Sequence, residues 1–281
     1  MPIDTGTVEV QVDRGDPRSV TVLVNGVPSS PVHLDDPTRL DFEYLQVMAA
    51  VLDRLDPGPL DAVHLGAGAC ALPRWVEATR PGSRQLAIDV DGALLTLVRR
   101  WFDLPRSPRL RLRAGDARAV LGALPAASAD VIVRDVFAGE RTPVPLTTVE
   151  MVRQVVRVLR PGGLYLVNCA DRPPLALARA ELATLGGQMP EVALAVEPGI
   201  LRGRRYGNLV LAATAEPPSS AGSVDRTSTR SAPLLVDPGL ARTLRSLPVP
   251  VRLLHGTELD AFVGRAVPLR DVPTTTEAAP P

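Results

Sequence analysis

Apolar and polar side chains alternate strictly over residues 7–12 (Thr-Val-Glu-Val-Gln-Val), which is the pattern of a strand with one buried face. A second strand-like run covers residues 19–24, and the turn residues Arg-Gly-Asp-Pro at 14–17 separate the two runs. Short strands joined by such a turn tend to pair with each other. The pattern therefore predicts a small β-hairpin unit over residues 1–34.

The rest of the chain alternates between helical spacing and short apolar runs. A helical pattern opens at Asp35-Asp36-Pro37-Thr38 and extends to Leu52. Five apolar runs predict strands at 60–65, 85–90, 110–114, 130–136 and 164–168. Helices are predicted at 70–78, 93–102, near 120, at 147–159 and at 175–185, and a closing strand pair at 192–196 and 208–213. This order predicts a doubly wound α/β fold with a mostly parallel sheet of seven strands.

Glycines and acids stand at the carboxyl ends of the predicted parallel strands. The first strand leads into Gly66-Ala67-Gly68, and the second ends in Asp89-Val90. Glycine lets the backbone approach a ligand closely, and an acid about 20 residues later can bind both hydroxyls of a ribose. The pattern predicts a nucleoside site, although an acid in the place of Asp89 is also suited to cap the following helix.

The third and fourth strands add two further acids. Asp116 and Ala117 follow the third strand, where a carboxylate can accept a hydrogen bond from an adenine amino group; capping of the next helix is the alternative role. Asp135 ends the fourth strand, where chemistry on a bound nucleoside would occur. The glycine turn alone fits NAD as well as S-adenosylmethionine, whereas the segment Gly115-Asp116-Ala117 favours an adenosyl sulfonium ligand.

Composition narrows the function classes. The formal net charge is 0 and aromatic residues make up 3% of the 281 residues, which argues against nucleic-acid and membrane-surface partners. No apolar stretch reaches the roughly 18 residues of a membrane span, so a cytoplasmic protein is expected.

Two distant cysteines, Cys70 and Cys169, form neither a disulfide framework nor a zinc site. The histidines share no ligand spacing, so no metal is expected; they are His33, His64 and His255.

From about residue 8 to residue 213 the sequence resembles the polyamine aminopropyltransferases (spermidine synthases). That family combines an S-adenosylmethionine-dependent methyltransferase-like sheet with an N-terminal β unit. The segments that carry the resemblance are, in chain order, 22–27, 40–44, 65–68, 88–91, 115–117 and 134–137. The resemblance implies that Asp135 is the catalytic aspartate and that Tyr44 lines the amine pocket. It also implies decarboxylated S-adenosylmethionine as co-substrate, a small amine as acceptor and a homodimer.

Two departures from the family pattern point to a divergent bacterial branch. The family has an aspartate in its glycine-rich turn that binds the amino end of the donor, and Ala69 stands in that place here. The family also has a second acid after the fourth strand, and this chain keeps only Asp135. Nearby acids that can compensate are Glu43, Glu140 and Glu150. The basic cluster Arg202-Gly203-Arg204-Arg205 suits a solvated loop or a contact to an acidic ligand.

Three functional hypotheses remain, and nucleophilic displacement at a sulfonium carbon is common to the first two. The preferred one is an aminopropyltransferase in which Asp135 activates the amine. The second is a methyltransferase that uses intact S-adenosylmethionine, which the loss of the family acid at Ala69 favours. The third is a non-catalytic nucleoside-binding protein.

The predicted units are a β-hairpin unit at 1–34, a Rossmann-like catalytic domain at 35–215, a linker at 216–233 and a C-terminal extension at 234–281 that ends in a disordered tail.

Overall fold

The N-terminal unit is an antiparallel sheet with more strands than the predicted hairpin. The structure, a computed structural model, describes residues 1–139, 141–217 and 234–272. Asn25 and Gly26 have positive φ angles of 53° and 78°, and they form the tight turn that lets the last strand pair back on the third. The sheet has the order β1 (Pro2–Ile3), β2 (Gly6–Val12), β3 (Ser19–Val24) and β4 (Val27–His33).

Strands and helices alternate through the central part of the chain, as predicted. The strands are β5 (Asp61–Leu65), β6 (Arg84–Asp89), β7 (Leu110–Ala114), β8 (Ala129–Arg134), β9 (Leu159–Asp171), β10 (Glu191–Val196) and β11 (Gly207–Thr214). The helices are α1 (Glu43–Leu52), α2 (Ala71–Thr79), α3 (Gly92–Trp101), α4 (Ala117–Gly122), α5 (Val149–Val158), α6 (Ala176–Gly186) and α7 (Pro198–Leu201).

The C-terminal segment packs against the same sheet. It contributes α8 (Pro238–Arg245), β12 (Arg252–His255) and α9 (Gly256–Val263). Strand β12 pairs with β10 and is an eighth strand beyond the seven predicted. Residues 218–233 of the predicted linker, and the predicted tail from residue 274, lie outside the described residues.

The large sheet has the order β7-β6-β5-β8-β9-β11-β10-β12. Strands β5 to β9 run parallel to one another. Beyond β9, each further strand is antiparallel to its neighbour: β11 to β9, β10 to β11 and β12 to β10. Helices α1, α2 and α8 cover one face, and α4, α5, α6 and α9 cover the other. Burial on both faces explains why the central strands β5 and β8 are largely apolar, whereas the edge strand β7 alternates leucine with arginine and is mostly exposed. The predicted doubly wound α/β fold is confirmed, and the parallel strands end together at one edge.

Helix α1 begins at Glu43, later in the chain than the predicted opening at Asp35. The polar residues before it form a turn instead: the Asp36 carboxylate accepts a hydrogen bond from Thr38 N at 2.9 Å. Asp41 accepts a hydrogen bond from Ser19 Oγ at 2.9 Å and is thereby tied to the N-terminal sheet. The late start places Tyr44 in the first turn of α1.

Candidate active site

The glycine turn between β5 and α2 connects three strand ends. Gly66 N donates to Ile88 O at 2.9 Å, and Asp135 N donates to Leu65 O at 2.8 Å. Gly66 has a φ of +88°, and a Cβ atom there would lie 2.0 Å from Asp135 O. Because no side chain fits into that space, Gly66 is required for Asp135 to approach the turn.

The N-terminal sheet closes the other side of this turn. Ser30 on β4 accepts a hydrogen bond from Ala69 N at 3.0 Å, and a Cβ atom on Gly68 would lie 2.3 Å from Ser30 Oγ. Ala69 is fully buried beneath this contact. At Ala69, where the resemblance implies an aspartate in the family, the turn therefore carries no charged group and is covered by the N-terminal sheet.

Asp89 lies at the end of β6 and holds the glycine turn. Its Oδ2 accepts hydrogen bonds from Ala67 N at 3.1 Å and Gly68 N at 3.4 Å, and its Oδ1 accepts one from Asp91 N at 3.1 Å. The cap of α3 is Asp91, which accepts from Leu94 N at 2.7 Å. Asp89 is therefore not the cap of this helix, and the alternative prediction is wrong. Its carboxylate is half-buried and lies against the backbone N–H groups of the glycine turn.

The end of β6 and the segment after β7 are joined by a hydrogen bond from Gly115 N to Asp89 O at 2.8 Å. This bond places the next residues of both segments at the same edge of the sheet: Val90, Asp116 and Ala117. Asp116 caps α4 by accepting from Ala119 N at 2.8 Å through Oδ1, and its exposed Oδ2 has no hydrogen bond within the described part of the chain. Ala117 is the buried first residue of α4. Val90 is 66% exposed, so an apolar side chain borders this edge.

Asp135 is fixed by donors from two other elements. Tyr44 in α1 donates from its hydroxyl group to Asp135 Oδ2 at 2.8 Å. Asn168 in β9 donates from Nδ2 to Asp135 Oδ1 at 2.9 Å. The two predicted residues Asp135 and Tyr44 are therefore in direct contact although they are 91 positions apart.

The surroundings of Asp135 change its acidity. Burial raises the pKa of the Asp135 carboxyl group, while the hydrogen bonds from Asn168 and Tyr44 partly oppose this rise. Burial also raises the pKa of Tyr44 well above its ordinary value, and the negative charge of Asp135 adds to the rise. Tyr44 therefore stays protonated as a donor, and Asp135 is a stronger base than an exposed aspartate.

Asn168 was not among the residues predicted for the site. Its signal in the sequence is a polar side chain at the end of an apolar strand, and the parallel register pairs Arg134 with Val167, which places Asp135 beside Asn168. Asn168 is 1% exposed, and its Oδ1 has no hydrogen-bond partner among the residues the structure describes. Knowledge of the strand order is needed to recognise it.

A cavity gathers part of the predicted set. Its lining includes Tyr44, Asp135, Gly66, Ala67 and His64. Asp89, Val90, Asp116 and Ala117 lie at the neighbouring strand ends and do not line it. His64 is a packed core residue of β5: it is 2% exposed, and its Nε2 lies 3.0 Å from Gln85 Oε1.

The described residues contain neither a cluster suited to a metal ion nor a helix suited to a membrane span. Within 1–139, 141–217 and 234–272, His, Cys, Asp and Glu side chains form no group of three or more that could hold a metal ion. No helix in these ranges is long and apolar enough to cross a membrane.

Comparison with known proteins identifies relatives of two kinds, although no family model matches the chain. The polyamine aminopropyltransferase of Neisseria meningitidis is 27% identical over 169 residues, which cover 59% of this chain and 64% of that protein. The match thus spans less than two thirds of this curated relative. The structure of human methyltransferase-like protein 13 in complex with SAH has a TM-score of 0.54 and 25% identity, and covers 73% of this chain and 93% of that one.

A solved structure agrees over nearly the full length. The probable spermidine synthase from Corynebacterium glutamicum has a TM-score of 0.86 and 34% identity, and the match covers 99% of this chain and 98% of that chain. The agreement includes both the N-terminal sheet and the C-terminal segment. Sequence identity of 34% over nearly the whole of both chains is the level found between members of one protein family. The chain therefore belongs to the spermidine synthase (polyamine aminopropyltransferase) family.

Proposed function

We propose that the protein transfers an aminopropyl group from decarboxylated S-adenosylmethionine to a small amine, which Asp135 holds and deprotonates. The observation that carries this proposal is the contact of Asp135 with Tyr44 and Asn168 beside the glycine turn. Two neutral donors orient the carboxylate without neutralising it. Family membership supports group transfer as the class of reaction.

The strand ends next to Asp135 suit the nucleoside of the donor. Asp89 would hold the ribose hydroxyls, since carboxylate oxygens have lone pairs beyond those used by the turn. Asp116 would accept from the adenine amino group through its free Oδ2. The exposed side chain of Val90 supplies an apolar surface for the adenine ring, and the backbone of Gly66–Gly68 allows close approach.

The reaction needs only a positioned nucleophile and base. The amine nitrogen attacks the propyl carbon that is bound to the sulfonium sulfur. The carbon–sulfur bond breaks, and its electron pair stays on sulfur to give neutral methylthioadenosine. The amine loses its proton to the Asp135 carboxylate, whose raised pKa makes it a better acceptor. Its negative charge also stabilises the cationic amine before transfer.

Methyl transfer is the second candidate, and Ala69 is the observation that favours it. With a buried alanine in place of the family's turn aspartate, the site lacks one group that selects the decarboxylated donor. The similarity to human methyltransferase-like protein 13 supports the same alternative. In that reaction the amine attacks the methyl carbon of intact S-adenosylmethionine and leaves S-adenosylhomocysteine.

The choice of donor is tested by product analysis. The protein is incubated separately with decarboxylated and intact S-adenosylmethionine, each with a panel of amines, and the products are identified by mass spectrometry. We expect methylthioadenosine with an aminopropylated amine. S-adenosylhomocysteine with a methylated amine would instead support the second candidate. Absence of both products, with nucleoside binding retained, would favour a binding protein.

A further inference from the structure

His64 and Asp135 lie on the same face of the large sheet. His64 on β5 pairs with Val133 on β8, and Asp135 follows Val133 by two residues. Paired residues of parallel strands share a face, as do residues two apart on one strand. One strand spacing and a rise of two residues separate the Cα atoms of His64 and Asp135 by about 8 Å. His64 therefore lies deeper in the sheet than Asp135, below its carboxyl edge.

The hydrogen bonds around His64 determine which ring nitrogen carries its proton. Gln85 Nε2 donates to Pro73 O at 3.0 Å, so Gln85 Oε1 is the atom that faces the ring. An amide oxygen only accepts, and His64 Nε2 therefore donates to it at 3.0 Å. Burial lowers the pKa of His64 to about 4, so the ring is neutral at neutral pH and Nδ1 keeps its lone pair.

The second ring nitrogen of His64, Nδ1, is an unused acceptor. Within the described residues it has no hydrogen bond, and it is not one of their fully enclosed side-chain atoms that lack a partner. Those enclosed atoms are Glu77 Oε2, Arg134 Nε, Tyr165 OH and Asn168 Oδ1. Nδ1 therefore borders open space, and the cavity beside Asp135 is open space that His64 lines. A side chain that is 2% exposed thus presents a lone pair to this cavity.

The cavity is suited to a cation. Asp135 is the one charged side chain in its described lining. The other lining residues are neutral: Ser30, Tyr44, Leu45, His64, Gly66, Ala67, Ala71, Leu72, Pro73 and Val133. An anion in this cavity would meet the charge of Asp135 with no cationic side chain to offset it. An ammonium group would be attracted by that charge, and His64 Nδ1 could accept one of its three N–H bonds.

We propose, on the basis of the proposed function, that this cavity holds the ammonium end of the donor's aminopropyl arm and that His64 Nδ1 accepts a hydrogen bond from it. The glycine turn beside which the donor would bind also lines the cavity, through Gly66 and Ala67. Ala69, where the resemblance implies an aspartate for this ammonium group, is fully buried and carries no acceptor in its side chain. His64 supplies an acceptor from the neighbouring strand instead. Intact S-adenosylmethionine has a carboxylate at this end, which the charge of Asp135 would disfavour.

Two thioether analogues of the donor test the inference without turnover. They are 5′-(3-aminopropylthio)-5′-deoxyadenosine and 5′-butylthio-5′-deoxyadenosine, which differ only in a terminal ammonium or methyl group. Their sulfur is uncharged and does not transfer its arm, so calorimetry measures binding alone. We expect the aminopropyl analogue to bind the wild-type protein at least about tenfold more tightly. Equal affinity of the two analogues, or no binding of either, would overturn the inference.

His64→Gln and His64→Asn are a matched pair of variants. The amide of glutamine reaches the position of Nε2 and keeps the contact with Gln85, whereas the amide of asparagine lies at the position of Nδ1 and keeps an acceptor at the cavity. We expect His64→Gln to lose about tenfold in affinity for the aminopropyl analogue, with the butyl analogue unchanged within about twofold. His64→Asn should retain the preference for the ammonium group. Retention of the preference in His64→Gln, or its loss in both variants, would contradict the assignment.

The proposed function is tested separately, by release of methylthioadenosine from decarboxylated S-adenosylmethionine and an amine. Release together with equal affinity for the two thioethers would support the proposed function and reject this role of His64. Preference for the aminopropyl analogue without release under any acceptor would support the ammonium site and reject the transfer reaction.

Discussion

At the residue scale, the environment of Asp135 combines burial with hydrogen bonds that favour its charged form. Burial raises the pKa of this carboxyl group, and each donor lowers it again. The balance keeps a base available next to Tyr44, which stays protonated. Loss of one donor should therefore change the pH dependence of the reaction as well as its rate.

Tyr44→Phe removes the hydroxyl group that donates to Asp135 Oδ2. We expect a loss of roughly tenfold in kcat/KM, since one charge-assisted hydrogen bond is lost. The pKa of Asp135 should rise further, so the acid limb of the pH profile should move to higher pH. A pH profile of kcat/KM measures both effects.

Tyr165→Phe is the control for this variant. Tyr165 is also buried, in β9, but its hydroxyl group has no partner in the described part of the chain. Its removal should leave the pH profile unchanged and should not lower the free energy of unfolding. An equal shift of the acid limb in both variants would contradict a specific role for Tyr44.

His64 predicts a pH dependence of stability. Burial lowers its pKa to about 4, whereas the unfolded chain takes up the proton near pH 6.5. The unfolded state therefore binds more protons between these values, and the free energy of unfolding should fall by roughly 3 kcal/mol as the pH falls through this window. His64→Gln keeps an N–H donor for Gln85 and should remove this part of the slope. Urea unfolding at several pH values measures it, and an unchanged slope would show that other groups cause it.

The positions of single site residues could be predicted where the neighbouring residues in the sequence form a recognisable pattern. Asp135 and Asp89 follow apolar runs, and Gly66 precedes a helix, so their positions could be predicted. The contact between Tyr44 and Asp135, and the involvement of Asn168, depend on which strands and helices become neighbours. No local pattern contains that information.

At the scale of elements, the glycine turn joins β5, β6 and β8 through its backbone. Gly66→Ala would place a Cβ atom 2.0 Å from Asp135 O at a φ of +88°. Because backbone atoms cannot move aside easily, we expect a loss of at least about 2 kcal/mol in the free energy of unfolding and weaker methylthioadenosine binding. Chemical unfolding and calorimetry measure the two effects.

Gly122→Ala is the control for the turn. Gly122 is the last residue of α4, and a Cβ atom there has no heavy atom within 4 Å. We expect equal or higher stability, since alanine is the better helix former. If both variants lost the same stability, the close approach at Gly66 would not be the cause.

Elements with a clear period were predicted well, and their starts less well. Helix α1 begins at Glu43 because Asp36 and Asp41 form a turn and a contact to the N-terminal sheet. Strand β4 was absent from the prediction, since Val27–His33 contains two prolines and two serines and does not alternate. Its place in the sheet comes from pairing with β3.

At the scale of the whole molecule, the C-terminal segment ties distant elements together. Val149 N at the start of α5 donates to Leu269 O at 2.8 Å. Asp271 accepts from Arg118 Nη1 at 2.8 Å and from Thr148 Oγ1 at 2.8 Å. Arg118 follows Ala117 in α4, so this segment also supports the end of the sheet where the nucleoside is proposed to bind. The homodimer implied by the resemblance stays a prediction.

Truncation measures what this segment contributes. A chain that ends at residue 265 loses the contacts of Leu269 and Asp271, and we expect a decrease of roughly 2 kcal/mol in the free energy of unfolding. A chain that ends at residue 272 keeps them and should unfold like the full chain. Equal stability of the two truncated chains would show that the contacts contribute little.

The proposed function depends on activation of the amine by Asp135 for transfer from an adenosyl sulfonium donor. The most direct test compares wild type with Asp135→Asn under single-turnover conditions with decarboxylated S-adenosylmethionine and the best acceptor, followed by methylthioadenosine release. We expect the rate of Asp135→Asn to be lower by about 10²- to 10⁴-fold, with methylthioadenosine affinity unchanged within about twofold. A rate equal to that of wild type would contradict it.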